Sequence, residues 1–255
     1  MCEQSRRYEE MRQTMKKIVL GTTELTIEER NLLSVAYKNL VSTGRNSWRV
    51  FTLFEHRETT QGNQELSQRI EEIRTKIEKE LREVCFEIIG FVDDKHFLDL
   101  KDPESKVFFH KMKGDYCRYS AEFLVGKERD EMVQKSLFCY QEGSKIADQH
   151  LQITNSLRLG LFLNFSVLYY ENLNDFQQAY ILAKKTFEEA IDKIDSLSDK
   201  SYHDASLVLR LLRDNLNSWS KDMQLPNFVN DSSNYDEGDE NQEQEKDEKE
   251  PKEDK

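Results

Sequence analysis

QELSQRIEEIRTKIEKELREVCFEIIGF, residues 64 to 91, decides the class of this fold. Its apolar residues Leu66, Ile70, Ile73, Ile77, Leu81, Val84, Ile88 and Phe91 follow one another at steps of 4, 3, 4, 4, 3, 4 and 3. A helix turns through about 100° per residue, so these steps gather the side chains into one near-heptad seam. Left in water, that seam forfeits about 25 cal/mol for each Å² that stays wet, so it demands a partner helix.

Working outward, the chain offers few places for such helices to stop. Of three prolines only Pro103 lies in the body of the chain, and nine glycines in 255 residues fall below the ordinary usage of about 7%. With 34% charged residues and long helical periods, the chain reads as all-α. Residues 3 to 20 form a first helix, with Tyr8, Met11, Met15, Ile18 and Val19 at helical spacing, and Gly21 closes it. Thr26 and Glu29 then make a T-x-x-E capping box, which opens a long helix that runs to the TTQGN break after residue 56. Beyond the seam, a loop over 93 to 104 contains Pro103. Helices follow at about 105–125, 128–147, 156–171, 175–193 and 202–221, parted by GKERD, DQHLQITN, ENLND and DSLSDKS.

Residues 1 to 230 therefore read as one helical domain. The segment from Asp231 to Lys255 has lost apolar periodicity, and its twelve acids against four lysines carry −8 of the total −12. It cannot bury enough to offset ordering entropy and is expected to be a disordered acidic tail, able to compete for a basic site in the body. No surface is basic enough for nonspecific nucleic-acid binding, which depends on displacing phosphate counterions. Cys2, Cys85, Cys117 and Cys139 show no metal-ligand spacing, and MCEQSRRYEE has no apolar signal region, which points to a reduced, cytoplasmic protein without metal or cofactor. The longest apolar run, LGLFLNFSVLYY, stops at Glu171 and is too short to span a bilayer.

Two stripes carry charge in a pattern that chemistry can use. On the long helix Lys38, Arg45 and Arg49 project within about 40° of one another, opposite Leu33, Ala36, Leu40 and Phe51. In FFHKMKGDYCRYSAE, residues 108 to 122, Lys111, Asp115, Arg118 and Glu122 line one face, with Tyr119 beside them. Asp115 and Glu122 are expected to hold the Arg118 guanidinium as a pre-oriented fork for a bidentate anion. A solvated face and a row of i,i+4 ion pairs remain the alternatives for these stripes. Two further helices place Asn164 and Glu171 beside Leu163 and Val167, and Asn215 beside Leu207, Val208, Leu211 and Trp219. Core packing would explain the apolar residues. An asparagine is costly in a core unless satisfied, and its amide can instead bind a peptide main chain.

RNLLSVAYKN at 30–39, ESKVFFHKMKGDYCRYSAE at 104–122, LGLFLNFSVLYYEN at 159–172 and SYHDASLVLRLLRDNLNSW at 201–219 together resemble the 14-3-3 family, from Arg7 to Trp219. The resemblance implies a bundle of about nine antiparallel helices around a concave amphipathic groove. It implies a non-enzymatic adaptor that binds phosphoserine or phosphothreonine motifs of client proteins. By position, Lys38, Arg45, Arg118 and Tyr119 would bind the phosphate, with Arg49 in support and Lys111 near the bound segment. Asn164 and Asn215 would hold its main chain; Leu163, Val167, Leu207, Val208, Leu211 and Trp219 would form the apolar wall, and Glu171 the floor.

The resemblance also carries departures. Arg7-Tyr8 looks like the pair that opens the family's second helix, which implies a truncated first helix and a homodimer or heterodimer weaker than usual. Arg7, Glu10, Ser47, Phe51, Phe54, Ile73, Lys76 and Glu80 resemble the remaining dimer contacts, with Arg7 and Glu10 set to pair with Glu80 and Lys76. Ser47 resembles an interface phosphorylation site. Cys117, Gly44 and Phe162 differ from the family's usual residues without removing a pocket group. Two other readings compete. A phosphate-independent helical peptide scaffold would need no convergent cations, and an enzyme would need a nucleophile, phosphate-loop or metal motif that the sequence lacks.

Overall fold

The computed structural model describes residues 5–22, 24–94, 97–225 and 228. The acidic segment 231–255, and with it the expected disorder of a tail, lies outside the described residues, as does Cys2. Among the described residues there are eight α-helices and no strand. They are α1 (Tyr8–Gly21), α2 (Ile27–Thr60), α3 (Gln64–Asp94), α4 (Pro103–Phe123), α5 (Gly126–His150), α6 (Ser156–Glu171), α7 (Phe176–Ile191) and α8 (Asp199–Asp222), with short 3-10 turns at Phe97–Asp99 and Ile194–Ser196. The residue pattern anticipates all eight, one fewer than the nine that the family resemblance implies; α1 begins at Tyr8, five positions after the expected start, and the other boundaries lie within a few positions. No helix among the described residues is long and apolar enough to cross a membrane.

The helix starts follow from local chemistry. Thr26 accepts from Glu29 N at 3.2 Å while the Glu29 carboxylate takes the Thr26 amide at 2.8 Å, which completes the capping box. Asp102 caps α4 by accepting from Ser105 N at 2.8 Å, and Pro103 occupies the first turn, where no intrahelical N–H is needed. Asn155 caps α6 through Leu157 N and Arg158 N. GKERD, expected as a break, is instead the first turn of α5; the chain turns one step earlier, at Leu124 and Val125, and Gly126 with φ +56° supplies the left-handed residue.

Consecutive helices pack side by side, and α6 also contacts α4 and α8. One core, built on Leu33, Tyr37, Ile88, Phe97, Phe109 and Tyr140, fills the α1 to α6 region. A second, built on Leu159, Phe187, Ile194, Leu209, Leu212 and Leu216, lies among α6, α7 and α8. Glycines set two close approaches. A Cβ on Gly44 would stand 2.8 Å from Leu81, and one on Gly114 would stand 2.9 Å from the Tyr140 ring. The first docks α2 on α3 and the second docks α4 on α5. The thiols of Cys85 and Cys117 are pushed up to about 12, and that of Cys139 to about 11, by burial, which keeps them protonated and unreactive.

α1 is held by charge as well as by apolar contact. Arg12, only 4% exposed, donates to Glu87 and Glu83 of α3 at 2.8 Å each and to Glu9 of its own helix at 3.2 Å. Tyr37 of α2 donates to the same Glu87 at 2.7 Å, and Lys16 also pairs with it. Only the second half of the α3 seam is covered within the chain: Leu81, Val84, Ile88 and Phe91 are buried, whereas Leu66 and Ile73 are 48% and 41% exposed. The seam's demand for a partner is thus met over half its length.

His110 sits at the α4–α5 seam, 7% exposed, with a buried Nδ1 that has no hydrogen-bond partner among the described residues. Burial pushes its pKa below the ordinary imidazole value, Glu142 opposes that shift, and Lys113 and Lys106 add to it. A depressed histidine leaves stability intact above the unfolded pKa of about 6.5 and erodes it as pH falls through the folded value. His110→Leu should therefore raise the melting temperature more at pH 5.5 than at pH 7.5 in paired calorimetric scans. An equal gain at both values would assign the whole effect to the unpaired Nδ1.

Candidate functional site

α2 and α4 bring their two charged stripes together around one aromatic ring. The guanidinium carbon of Arg45 lies 4.1 Å from the Tyr119 ring centroid, and that of Arg118 lies 4.8 Å from the same centroid. Two cations on neighbouring helices thereby share one quadrupole. Arg118 is 5% exposed. Burial works to lower its pKa, but the Asp115 carboxylate nearby and the hydrogen bond to the neutral Tyr140 hydroxyl oppose that, and the group stays a fixed cation. Burial raises the Tyr119 pKa, so its hydroxyl remains a proton donor.

The acids are distributed differently from the single-helix expectation. Glu122 does not hold Arg118. It reaches across to α2, accepts from Arg45 Nε at 3.0 Å and from the same guanidinium's second nitrogen, and takes Arg49 at 3.1 Å. Arg118 instead turns inward to α5 and α6, where its Nε donates to Tyr140 Oη at 3.4 Å and its NH1 lies 3.8 Å from Glu171. Helical spacing puts Arg118 and Glu122 on one face of α4, but a neighbouring helix offers each a closer opposite charge. Arg49 touches the site through Glu122, a supporting position.

Asp115 forms a second knot. Buried to 7% exposure, it accepts from Lys111 Nζ at 2.7 Å, from Asn164 Nδ2 at 2.7 Å and from the Tyr140 hydroxyl. Tyr140 was not legible as a site residue. The available signal was Gly114, the small residue on α4 that makes room for its ring. Lys38 lies on the Arg45 stripe of α2, exposed and without an ion pair among the described residues.

The apolar residues expected beside the site divide. Leu207 and Leu211 are 40% and 52% exposed on α8, Val167, Val208 and Asn215 are half-buried, and Leu163 is buried on α6. Trp219, expected in the apolar wall, is 5% exposed and stacks on Tyr170 at 4.7 Å within the second core, because α6 supplies a parallel ring at that level. Glu171 is exposed at the end of α6.

The expected dimer residues lie elsewhere. Arg7, Glu10, Ser47, Phe51 and Glu80 line a cavity of about 920 Å³ between α1, α2 and α3. Within the chain Arg7, which precedes α1, pairs with Glu10 in its first turn. That pairing follows from their i,i+3 spacing. Phe54, Ile73 and Lys76 are exposed beyond the cavity. Among the described residues no group of His, Cys, Asp or Glu could hold a metal ion.

Four cations, Arg45, Arg49, Lys111 and Arg118, thus meet three carboxylates, Asp115, Glu122 and Glu171, and Lys38, unpaired on the Arg45 stripe among the described residues, brings the excess to two positive charges. Such an arrangement can take a divalent anion whose oxygens replace the missing acids. The profile of one protein family, 14-3-3 protein, matches residues 1–220. The chain is 48% identical to the 14-3-3-like protein GF14 omicron of Arabidopsis thaliana over 87% of this chain and 88% of that one. It is 49% identical to 14-3-3 protein 2 of Solanum lycopersicum, over 88% and 89%. Likeness to 14-3-3 protein epsilon of Drosophila melanogaster is 48%, over 88% and 87%.

Glu122→Gln should lower the melting temperature, since it leaves Arg45 without its carboxylate, a loss of about 1–3 kcal/mol. Inorganic phosphate should then raise the melting temperature more in the variant than in the parent, because it supplies the missing negative charge. Equal phosphate responses in thermal-shift titrations would separate Glu122 from the anion site.

Proposed function

This chain belongs to the 14-3-3 family, and we propose on that premise that it is a non-enzymatic adaptor for phosphorylated client proteins. It binds phosphoserine or phosphothreonine motifs and so regulates the clients' activity, location or interactions. The single observation that carries this reading is the two-charge cationic excess around Tyr119. A phosphoserine brings about −1.5 to −2 charges and three acceptor oxygens. Lys38, Arg45, Arg118 and the Tyr119 hydroxyl supply the donors, Lys38 as the free cation and the two arginines as forks that their partners already orient.

Selectivity follows from what the pocket lacks. An unphosphorylated serine would leave the cations desolvated without a counter-charge, so binding energy appears only with the anion. Asn164 and Asn215 take the main chain of the bound segment, which is sequence-tolerant. Leu207 and Leu211, with Val167, Val208 and Leu163, take its apolar side chains. We assign the bundle to one domain, residues 1–230, acting in the reducing cytoplasm.

A second copy of the chain, or of a related one, fits the half-covered α3 seam and the cavity under α1. Two sites in one body raise avidity for doubly phosphorylated clients through effective concentration. Ser47 lines that cavity, and a charge placed there would need desolvation against Phe51 and Ile77.

Two measurements test these readings. In fluorescence polarisation, a phosphoserine peptide should bind at least about tenfold more tightly than its dephosphorylated twin, and Lys38→Glu should remove that difference. Equal binding of both peptides to the parent would favour a phosphate-independent scaffold. In sedimentation equilibrium, Ser47→Glu should weaken self-association by about tenfold or more; an unchanged constant would place Ser47 away from the contact.

A further inference from the structure

We propose that Asp115 is a positioning residue that fixes which way the Asn164 amide faces, and that it thereby makes this contact selective for a main-chain N–H on the bound segment. The inference rests on the reading that a phosphoserine segment binds beside Asn164.

The geometry leaves Asn164 one orientation. A carboxylate offers only acceptors, so the Asn164 atom 2.7 Å from Asp115 Oδ1 must be its NH₂ group. Reversing the amide would set two oxygens against each other. Asp115 itself cannot swing aside, because Lys111 holds one of its oxygens at 2.7 Å and the Tyr140 hydroxyl holds the other. Tyr140 is in turn seated against Gly114 and reaches Arg118, so the phosphate site and the amide share one support.

The other end of the amide is the end a ligand meets. Asn164 Oδ1 has no hydrogen bond among the described residues and is not among their buried, unpartnered atoms, so it opens to solvent. An oxygen only accepts. The bound segment must therefore present an N–H there, and an imino acid or an N-alkylated amide at that position loses the bond and crowds the oxygen. Asn215 has no side-chain partner of this kind among the described residues, so its amide turns to suit either a carbonyl or an N–H. One asparagine is thus a reader of donors and the other is permissive.

The test uses a fluorescein-labelled, alanine-rich peptide with one central phosphoserine, together with analogues in which each neighbouring amide in turn is N-methylated. In the parent, one methylated position should weaken binding by about fivefold or more, and Asn164→Ala should erase that penalty. Asp115→Asn keeps the shape and leaves an oxygen for Lys111, but turns an NH₂ group toward Asn164 and reverses its amide. The same methylation should then cost less than about twofold. Tyr140→Phe, which frees one side of Asp115 without changing charge, should reduce the penalty part of the way and stands in if Asp115→Asn does not fold. The ratio of methylated to unmethylated affinity is unaffected by the added positive potential that loss of Asp115 brings, so a purely electrostatic role would leave it at the parent value. A parent-sized penalty in both folded variants overturns the proposal, as does a parent with no Asn164-dependent penalty. Equal binding of phosphorylated and unphosphorylated peptides to the parent would instead overturn the phosphoserine reading.

Discussion

Two arginines on neighbouring helices repel, and this site exists because something outweighs that repulsion. The Arg45 and Arg118 guanidinium carbons, 4.1 and 4.8 Å from one ring centroid, lie less than about 9 Å apart. At an effective dielectric near 20, charges at that separation repel by about 2 kcal/mol. Glu122 in direct contact with Arg45 contributes about 4 kcal/mol of attraction on the same scale, and the Tyr119 face adds about 0.5–2 kcal/mol for each cation. The closed pair is stable without ligand, yet its forks retain unfilled donors. An anion bound as proposed would enter a site that is already assembled, so little of its binding free energy would go to ordering side chains.

Helical periodicity made the elements legible and placed the charged residues on their faces. The Thr26–Glu29 capping box located the start of α2, whereas Pro103, expected within the loop, opens α4 behind the Asp102 cap. Periodicity could not reveal what a neighbouring helix would contribute. It specifies an azimuth on one cylinder, whereas ion pairing depends on the angle and height of the next. For this reason the stripe Lys111, Asp115, Arg118 and Glu122 divided into three separate sets of contacts. Lys111 stayed with Asp115 in an i,i+4 pair, Arg118 turned to Tyr140 and Glu171, and Glu122 crossed to Arg45 and Arg49.

Trp219 teaches the same lesson for apolar residues. It shares the stripe of Leu211 and Asn215, and spacing alone cannot say which member of a stripe is covered. Its burial depends on Tyr170 of α6, whose ring lies parallel to it at an interplanar angle of 11° and whose hydroxyl is tied to Asp222. Composition could not bring these cations together, since Arg45 and Arg118 come from segments some seventy positions apart, with α3 between them in the chain; only the family resemblance named them as one set.

The two apolar cores are not independent bodies, because α6 belongs to both. Leu161, Phe165 and Leu168 face the first, while Leu159 and Leu163 face the second. Neither core can lose this helix without exposing its own floor. Heat should accordingly melt the described bundle in one cooperative step, with the calorimetric and van't Hoff enthalpies agreeing, and α6 amides should exchange with solvent only through that global opening. A helix shared in this way makes the cationic cluster around Tyr119 and the apolar side chains of α8 a single mechanical unit.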